Sequence, residues 1–271
     1  MKKNIFLLFI IVLIVSFTGC GIKSVENTDV ANEITGVYAP NQTTTAYSYI
    51  HGGYVGRAIA KTDTNGDISV SFDEAFLPHV LAGVDIEAAE WNEDNTIMFD
   101  SHGDVYAAKY IEYNEKVYIG ISTGKGISYI AADETGAAVG NTDLEKMIIR
   151  DQASMTTFYT TVPAGMFKTF TEFGGTATPI KTTSSGGVTK KTSPGYWAFG
   201  QTWIGNITAI EDFIAENGVQ LNLAKASKAK EENAEGLKLW SIADAVTGAT
   251  NSDFKEYFGL AQYAAGKLTS N

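Results

Sequence analysis

The chain has 271 residues and a formal net charge of −11 at pH 7, and 44% of its residues are hydrophobic and 19% charged. This length and apolar content suit one large domain or two smaller domains with real cores, and they exclude a disordered chain. So acidic a protein gives nucleic-acid binding and polybasic membrane docking almost no electrostatic support. The single cysteine, Cys20, excludes an internal disulfide and a cysteine-based zinc or iron–sulfur site.

Residues 1–19 have the pattern of a signal peptide. Two lysines precede an apolar run at 5–17 that is too short to span a bilayer comfortably, and small residues stand before Cys20. The segment resembles the lipobox of bacterial lipoproteins, although Phe17 stands where Leu or Val is usual. The resemblance implies that Cys20 is acylated and that 20–34 form a lipidated tether anchored in the membrane by two acyl chains. An ordinary signal peptide with an incidental cysteine is the alternative.

The next hundred residues are rich in β-branched and aromatic side chains, which predicts strands. The clearest local signal lies in 56–72, where Asn65-Gly66 separates two alternating runs and predicts a hairpin with a type I′ turn. Asp63, Asn65 and Asp67 also have the spacing of a calcium-binding loop, but the loop lacks glycine where calcium binding needs it. We therefore favour the hairpin.

Three segments in the second half of the chain are predicted as helical or solvated. Residues 206–218 begin at a potential Asn cap, repeat apolar residues three and four apart and end on Asn-Gly. Residues 224–235, rich in Lys, Glu and Ala, are predicted to be a solvated helix or linker. After Ser252 an apolar face precedes a stop at Gly266, and it consists of Phe254, Tyr257, Phe258, Ala261 and Ala265.

A domain boundary is predicted at residues 144–153. A short helix from Leu144 to Arg150 is followed there by a stretch rich in Thr, Gly and Ser. The sequence thus predicts an α+β fold, with antiparallel sheets and a few packed helices, in two units at 35–150 and 151–271.

Residues 244–252, Asp-Ala-Val-Thr-Gly-Ala-Thr-Asn-Ser, are the segment that carries chemistry. A glycine-containing turn brings the hydroxyl of Thr250 to the start of a predicted helix, where free N–H groups and the helix dipole favour a phosphoryl group. Gly248 can adopt positive φ and lets another backbone or a bulky ligand come close, and Ala249 adds little bulk. Asp244 can orient a hydroxyl or hold a metal. The alternative is an ordinary strand-to-helix turn with a Thr cap.

These residues match the pattern Asp-x-x-(Ser/Thr)-Gly-Ala-(Ser/Thr), which resembles the covalent flavinylation motif of FMN-binding domains. Such domains occur in the C subunit of the sodium-pumping NADH:quinone reductase and in extracellular electron-transfer lipoproteins of Gram-positive bacteria. The resemblance implies that a separate magnesium-dependent flavin transferase takes the FMN half of FAD and joins its phosphate to Thr250. It also implies that Thr247, Gly248 and Ala249 form the recognised turn and that Asp244 is the motif acid.

Residues 193–206 extend the resemblance, because they look like the matching stretch of pheromone-precursor and electron-transfer lipoproteins. Tyr196, Trp197 and Trp203 stand there beside glycines. Aromatic rings can give an isoalloxazine an apolar face, so these three residues are candidate flavin contacts. Packing in the core is an equal alternative for each.

A weaker resemblance concerns a possible repeat. Thr135-Gly136-Ala137-Ala138 looks like an eroded copy of the motif, with Ala138 in place of the acceptor and Ala132 in place of the acid. On this interpretation 35–150 form a degenerate FMN-binding-like domain in tandem with a C-terminal FMN-binding domain at 151–271. Chance similarity explains the duplicate equally well.

The resemblance implies a lipid-anchored flavoprotein on the extracellular face of the cytoplasmic membrane. It would carry electrons from a membrane quinone or dehydrogenase to an extracellular acceptor, as a carrier rather than an enzyme. One alternative is a non-redox surface lipoprotein, either a binding module or a precursor of a peptide pheromone. Another is a flavin-dependent reductase of one substrate, which is disfavoured because the sequence has no Gly-x-Gly-x-x-Gly turn and no arginine beyond Arg57 and Arg150.

Overall fold

The computed structural model describes residues 38–100, 103–180, 187–193, 195–243 and 245–270. The predicted signal peptide and tether with Cys20, and the motif acid Asp244, lie outside the described residues. The described chain combines several antiparallel sheets with a few helices, which confirms the predicted α+β class. Among the residues described, none of the helices has the length and apolar content that a membrane crossing needs.

A three-stranded antiparallel sheet lies between two hydrophobic cores. It consists of β1 (Thr43–Ile50), β2 (Tyr54–Thr62) and β3 (Ile68–Phe76), paired in sequence order. Successive side chains of a strand point to opposite faces, so Ala58 of β2 packs into one core and Val55 into the other. Both faces of this sheet are therefore covered.

The first core lies between one face of β1–β3 and the middle of the chain. The helices there are α1 (Pro78–Leu81), α2 (Leu144–Ile148) and α3 (Gln152–Thr161). The strands are β4 (Thr96–Asp100), β5 (Asp104–Ala108), β6 (Tyr110–Tyr113), β7 (Lys116–Ser122), β8 (Ile127–Ala132), β9 (Ala138–Asp143), β10 (Phe167–Phe170) and β11 (Thr178–Pro179). β4 pairs with β5, and the others form a six-stranded sheet in the order β11-β10-β6-β7-β8-β9.

The second core lies between the other face of β1–β3 and the C-terminal part of the chain. Its helices are α4 (Thr202–Asn217) and α5 (Phe254–Ala265). A small antiparallel sheet of β12 (Ser227–Glu232), β13 (Lys238–Ile242) and β14 (Ala245–Val246) lies beside them. The division of the chain into 35–150 and 151–271 stays a prediction. Strands β1–β3, which both cores share, all lie in the first of these ranges.

One five-residue turn recurs in the β2–β3, β8–β9 and β12–β13 hairpins, at 63–67, 133–137 and 233–237. In each turn the side-chain Oδ1 of the first residue accepts hydrogen bonds from the backbone N–H groups of the third and fifth residues. The fourth residue is a glycine in the left-handed region, with φ of 87° at Gly66, 82° at Gly136 and 75° at Gly236. The predicted hairpin at 56–72 is present, but the type I′ turn is wrong because Asn65 does not share the positive φ that this turn requires.

The C-terminal helices follow the predicted pattern with one informative difference. Helix α5 buries the predicted face, and α4 ends at Gly218, whose φ is 74°. However, α4 begins at Thr202, so Asn206 lies inside the helix and not at its cap. The prediction for 224–235 is wrong, because half of that segment is strand β12, a largely exposed strand rich in charged side chains that pairs with β13.

Candidate functional site

The predicted motif forms the turn between β14 and α5, and strand β13 holds one side of it. The backbone N–H of Thr247 donates to the carbonyl of Trp240 at 2.7 Å, and the N–H of Trp240 donates to the carbonyl of Ala249 at 2.9 Å. The hydroxyl of Thr247 accepts the N–H of Ala249 at 3.1 Å. Thr247 and Ala249 are buried, whereas Thr250 is half-buried. The turn therefore has a fixed backbone and carries a half-buried threonine.

Helix α4 holds the other side of the turn through Asn206, which is only 6% exposed. Its Oδ1 accepts the N–H of Thr250 at 2.6 Å, the hydroxyl of Thr250 at 3.1 Å and the N–H of Asn251 at 3.0 Å. Its Nδ2 donates to the carbonyl of Thr202 at 2.8 Å. The side-chain amide of Asn206 thus has a fixed orientation, with its oxygen toward the turn.

Gly248 packs against the same helix. A Cβ at this position would lie 2.9 Å from the Cβ of Ala209, and the carbonyl of Gly248 accepts a hydrogen bond from Nε2 of Gln201 at 2.8 Å. The prediction of a close neighbour at Gly248 is correct, but positive φ is not used there. Glycine suits this position because the turn and the helix approach each other closely.

Helix α5 begins later than the predicted phosphoryl site requires. Its cap residue is Asp253, three positions after Thr250, and Glu256 lies in its first turn. Two carboxylates thus already balance the positive end of the helix dipole. The hydroxyl of Thr250 donates instead to Asn206. Thr250 therefore forms neither the predicted anion site at the helix start nor the alternative Thr cap.

Positive charge reaches the turn from β12. Nζ of Lys228 donates to the carbonyl of Thr250 at 2.8 Å and lies 4.4 Å from the centroid of the Trp240 ring. Partial burial lowers the pKa of Lys228. Nζ of Lys255 lies 5.7 Å from the centroid of the same ring, which stacks on Phe254. These two lysines place positive charge near the motif, beside the carboxylates of Asp253 and Glu256.

The structure separates the three aromatic candidates. Trp203 is 6% exposed, and its Nε1 donates to the hydroxyl of Tyr257 at 2.9 Å. Tyr196 packs against Phe76, with 4.7 Å between ring centroids. Trp197 is 61% exposed. Trp203 and Tyr196 thus have structural neighbours in the two cores, whereas the Trp197 ring is accessible.

Trp197 has one exposed aromatic neighbour. Phe199 is 76% exposed, and its ring centroid lies 5.9 Å from that of Trp197 at an interplanar angle of 79°. Both residues precede Gln201, which is hydrogen-bonded to the motif at Gly248. We call Trp197 and Phe199 the aromatic loop. It leads into the N-terminal end of α4, where Gln201 and Asn206 contact the motif turn.

A buried polar cluster connects the elements behind the turn. The carboxylate of Glu74, on β3, forms an ion pair with Lys190 and accepts a hydrogen bond from the hydroxyl of Tyr257. Nζ of Lys190 also lies 3.6 Å from the centroid of the Tyr54 ring. Burial raises the pKa of Glu74, although Lys190 and Tyr257 act in the opposite direction. Because Trp203 bonds to Tyr257, the cluster links α4 and α5 to β3.

The possible second motif has a different structural role. Thr135, Gly136 and Ala137 lie in the β8–β9 hairpin turn, whose structural counterpart is the turn at 233–237 and not the motif. A shallow cleft of about 630 Å³ also lies away from the motif; Asn92 and Tyr110 are among its lining residues, and it contains none of the predicted site residues.

Several residues that build the site were missed by the sequence reasoning. Asn206 was interpreted as a helix cap, and Gln201, Lys228 and Trp240 carried no recognisable signal because each meets the turn only through tertiary packing. In comparisons with protein families, curated proteins and solved structures, the chain gives no match.

Proposed function

We propose that the chain is a covalently flavinylated electron-transfer lipoprotein with FMN esterified to Thr250. The observation that carries this proposal is the hydroxyl of Thr250. It stands half-buried on a turn that β13 and α4 fix from two sides, within a sequence that resembles the flavinylation motif. The buried oxygen of Asn206 accepts this hydroxyl together with the backbone N–H groups of Thr250 and Asn251.

The residues around Thr250 suit an attached FMN. Oδ1 of Asn251 is buried and has no hydrogen-bond partner within the described part of the chain. Such an orphaned acceptor is costly, and the ribityl hydroxyls of an FMN on the neighbouring residue are donors of the right kind. Lys228 supplies positive charge near the phosphodiester, and the exposed ring of Trp197 offers a stacking surface.

Attachment requires the oxygen of Thr250 to attack the FMN phosphorus of FAD. The new P–O bond forms as the bond to AMP breaks, AMP leaves, and a base of the magnesium-dependent flavin transferase takes the hydroxyl proton. Bound FMN supplies redox chemistry that amino-acid side chains lack. The chain itself holds the acceptor oxygen in place, keeps the turn rigid and offers rings for the cofactor to contact.

The proposed location and partners follow from the leader. Acylated Cys20 would tether the protein to the outer face of the cytoplasmic membrane, where a membrane quinone or dehydrogenase donates electrons that pass to an extracellular acceptor. A dissociating cofactor is lost by dilution outside a cell. A covalent link instead keeps its effective concentration high.

The experiment that tests this function is co-production of the protein with a flavin transferase, followed by mass spectrometry of the intact chain. We expect one FMN-sized increment in the wild type and in Thr250→Ser, and complete loss of it in Thr250→Ala. Thr135→Ala is the matched control, because Thr135 also stands on a Thr-Gly-Ala turn and its loss should leave the increment intact. Flavin absorbance that stays with the chain after denaturation would establish the covalent link.

The same material separates the alternatives. An unmodified wild-type mass contradicts flavinylation and favours a non-redox binding module or pheromone precursor. An increment that persists in Thr250→Ala places the flavin elsewhere. Turnover with one particular organic acceptor would favour a substrate-specific reductase over an electron carrier.

A further inference from the structure

We infer that Asn206 is the positioning residue for flavinylation, in that its side-chain oxygen orients the hydroxyl of Thr250 for attack on phosphorus. The inference rests on the proposed function. Asn206 lies 44 positions before Thr250 in the chain and in a different element, yet Thr250 directs both its N–H and its hydroxyl at the Oδ1 of Asn206.

The orientation of the Asn206 amide is determined by its other contacts. Oδ1 faces the N–H groups of Thr250 and Asn251, and Nδ2 faces the carbonyl of Thr202. Reversing the amide would set a donor against two donors and an oxygen against a carbonyl oxygen. The oxygen therefore always faces the turn.

This fixed oxygen determines where the hydroxyl proton of Thr250 points. Because the O–H bond is directed at Oδ1 of Asn206, the lone pairs of the threonine oxygen face away from α4. They are the electrons that form the bond to phosphorus. A held nucleophile loses less rotational freedom when it reacts, so positioning of this kind raises the rate.

Asn206 does not take the proton, since a neutral amide is too weak a base. As the P–O bond forms, the proton leaves its hydrogen bond with Oδ1 for a base of the transferase, so Asn206 sets the starting orientation of the hydroxyl. Once the ester has formed, the threonine oxygen has no proton left to donate to Oδ1. The two backbone N–H bonds from Thr250 and Asn251 remain and keep the turn closed around the product.

A second asparagine of the same helix provides a control. Asn217 also donates from Nδ2 to the carbonyl four residues earlier, that of Phe213, at 3.0 Å. It lies at the opposite end of α4 and is exposed. Asn217→Leu therefore removes the same local bond and leaves the contacts of the motif intact.

The test uses the full chain, a flavin transferase, FAD and magnesium, with initial rates of FMN incorporation read by intact mass at several acceptor concentrations. Asn206→Leu keeps the size of the side chain and removes its polar atoms, whereas Asn206→Asp keeps an oxygen toward Thr250 and replaces the donor to Thr202 with a second carboxyl oxygen. We expect Asn206→Leu to lower kcat by at least about tenfold, because it removes the three hydrogen bonds that Oδ1 accepts from the turn and the one that Nδ2 donates to Thr202. We expect Asn206→Asp to stay within about threefold of the wild type, KM for the acceptor chain to change little, and Asn217→Leu to match the wild type.

Thermal unfolding curves of the wild type and the variants identify a temperature at which all of them are folded. The rates of FMN incorporation are compared at that temperature. In the wild type, amide hydrogen exchange should show protection of Thr250 and Asn251, and this measurement does not depend on any variant folding. The inference is overturned if Asn206→Leu reacts at the wild-type rate or faster, if Asn206→Asp is as slow as Asn206→Leu, or if those two amides exchange as in an unfolded chain. If the wild type itself takes up no FMN, the proposed function fails as well; if it takes up FMN and Asn206→Leu does so equally, only the role of Asn206 fails.

Discussion

Two segments of the chain have the same hairpin turn and a later core helix, but only the second contains the candidate site. The hairpin turn at 133–137 is followed by α3, and the hairpin turn at 233–237 is followed by α5. The turns have the same hydrogen bonds, and each helix has a fully buried phenylalanine, Phe158 in the first and Phe258 in the second. The two helices belong to the two cores on opposite faces of β1–β3.

The segments differ between the hairpin and the helix. Counted from the equivalent turns, Met147, Ile148, Ile149 and Arg150 stand where the second segment has Thr-Gly-Ala-Thr, and α2 occupies much of that place. The hydroxyl at Thr250 thus has no counterpart in the first segment. The two segments thus share a turn and a core helix, and the candidate acceptor Thr250 lies where the motif residues of the second segment meet α4.

Truncation of the paired phenylalanines tests whether the two segments support the fold equally. Phe158→Ala and Phe258→Ala should each lower the free energy of unfolding by about 3–5 kcal/mol, because each removes a fully buried ring and leaves a cavity. Both should do so within a single transition in urea, since β1–β3 belongs to both cores. Two separate transitions, each shifted by only one of the substitutions, would show that the cores unfold independently.

The glycines of the two hairpin turns, Gly136 and Gly236, compare the segments through a smaller expected change in stability. Gly136→Ala and Gly236→Ala should each cost about 1–2 kcal/mol in unfolding free energy, because both residues have positive φ. Gly136→Ala should cost more, since its Cβ would lie 2.9 Å from the Phe173 ring, whereas the nearest atom at Gly236 is 4.0 Å away. Urea denaturation of both variants measures the difference, and equal costs would mean that the ring of Phe173 moves aside freely.

A third prediction concerns an ion pair beside the first segment. Glu145 of α2 accepts hydrogen bonds from the backbone N–H of His79 at 2.7 Å and from its Nδ1 at 2.8 Å. Burial alone would lower the pKa of His79, but the hydrogen bond and charge of Glu145, with the charge of Asp143, outweigh it and raise the pKa. This stabilisation is therefore complete below the unfolded pKa of about 6.5 and is lost as pH rises through the higher folded pKa.

Its magnitude should be the smallest of the three, about 0.2–1 kcal/mol, because the pair is partly exposed. Urea denaturation at pH values below and above the transition, in the wild type and in His79→Gln, isolates it. The wild type should lose more stability than the variant as pH rises. An identical pH dependence in both proteins would contradict an ionic role for His79.

The sequence predicted the elements whose structure follows from the spacing of neighbouring apolar and glycine residues. The apolar spacing of α5 and the end of α4 at Gly218 are visible in the residues themselves. Strand β12 was missed because its Lys- and Glu-rich composition suits a helix, and only pairing with β13 makes it a strand. The start of α4 was misplaced because Asn206 resembles a cap, whereas its side chain is used in a tertiary contact.

The candidate site shows the same limit. The motif identified Thr250 and its turn from consecutive residues, and the close approach at Gly248 was predicted from its lack of a side chain. The partners that fix the turn, Asn206 and Trp240, come from elements that only the folded chain brings together. Aromatic content alone also did not distinguish the exposed Trp197 from the buried Trp203.

The sheet shared by both cores has a consequence for how the protein matures. Strands β1–β3 come early in the chain, whereas α4 and α5, which cover one face of them, come last. During synthesis that apolar face stays uncovered until the final part of the polypeptide has been made. A chaperone that shields early strands, or a pause before the last helices emerge, would therefore affect the yield of this protein more than that of one whose layers are contiguous in sequence.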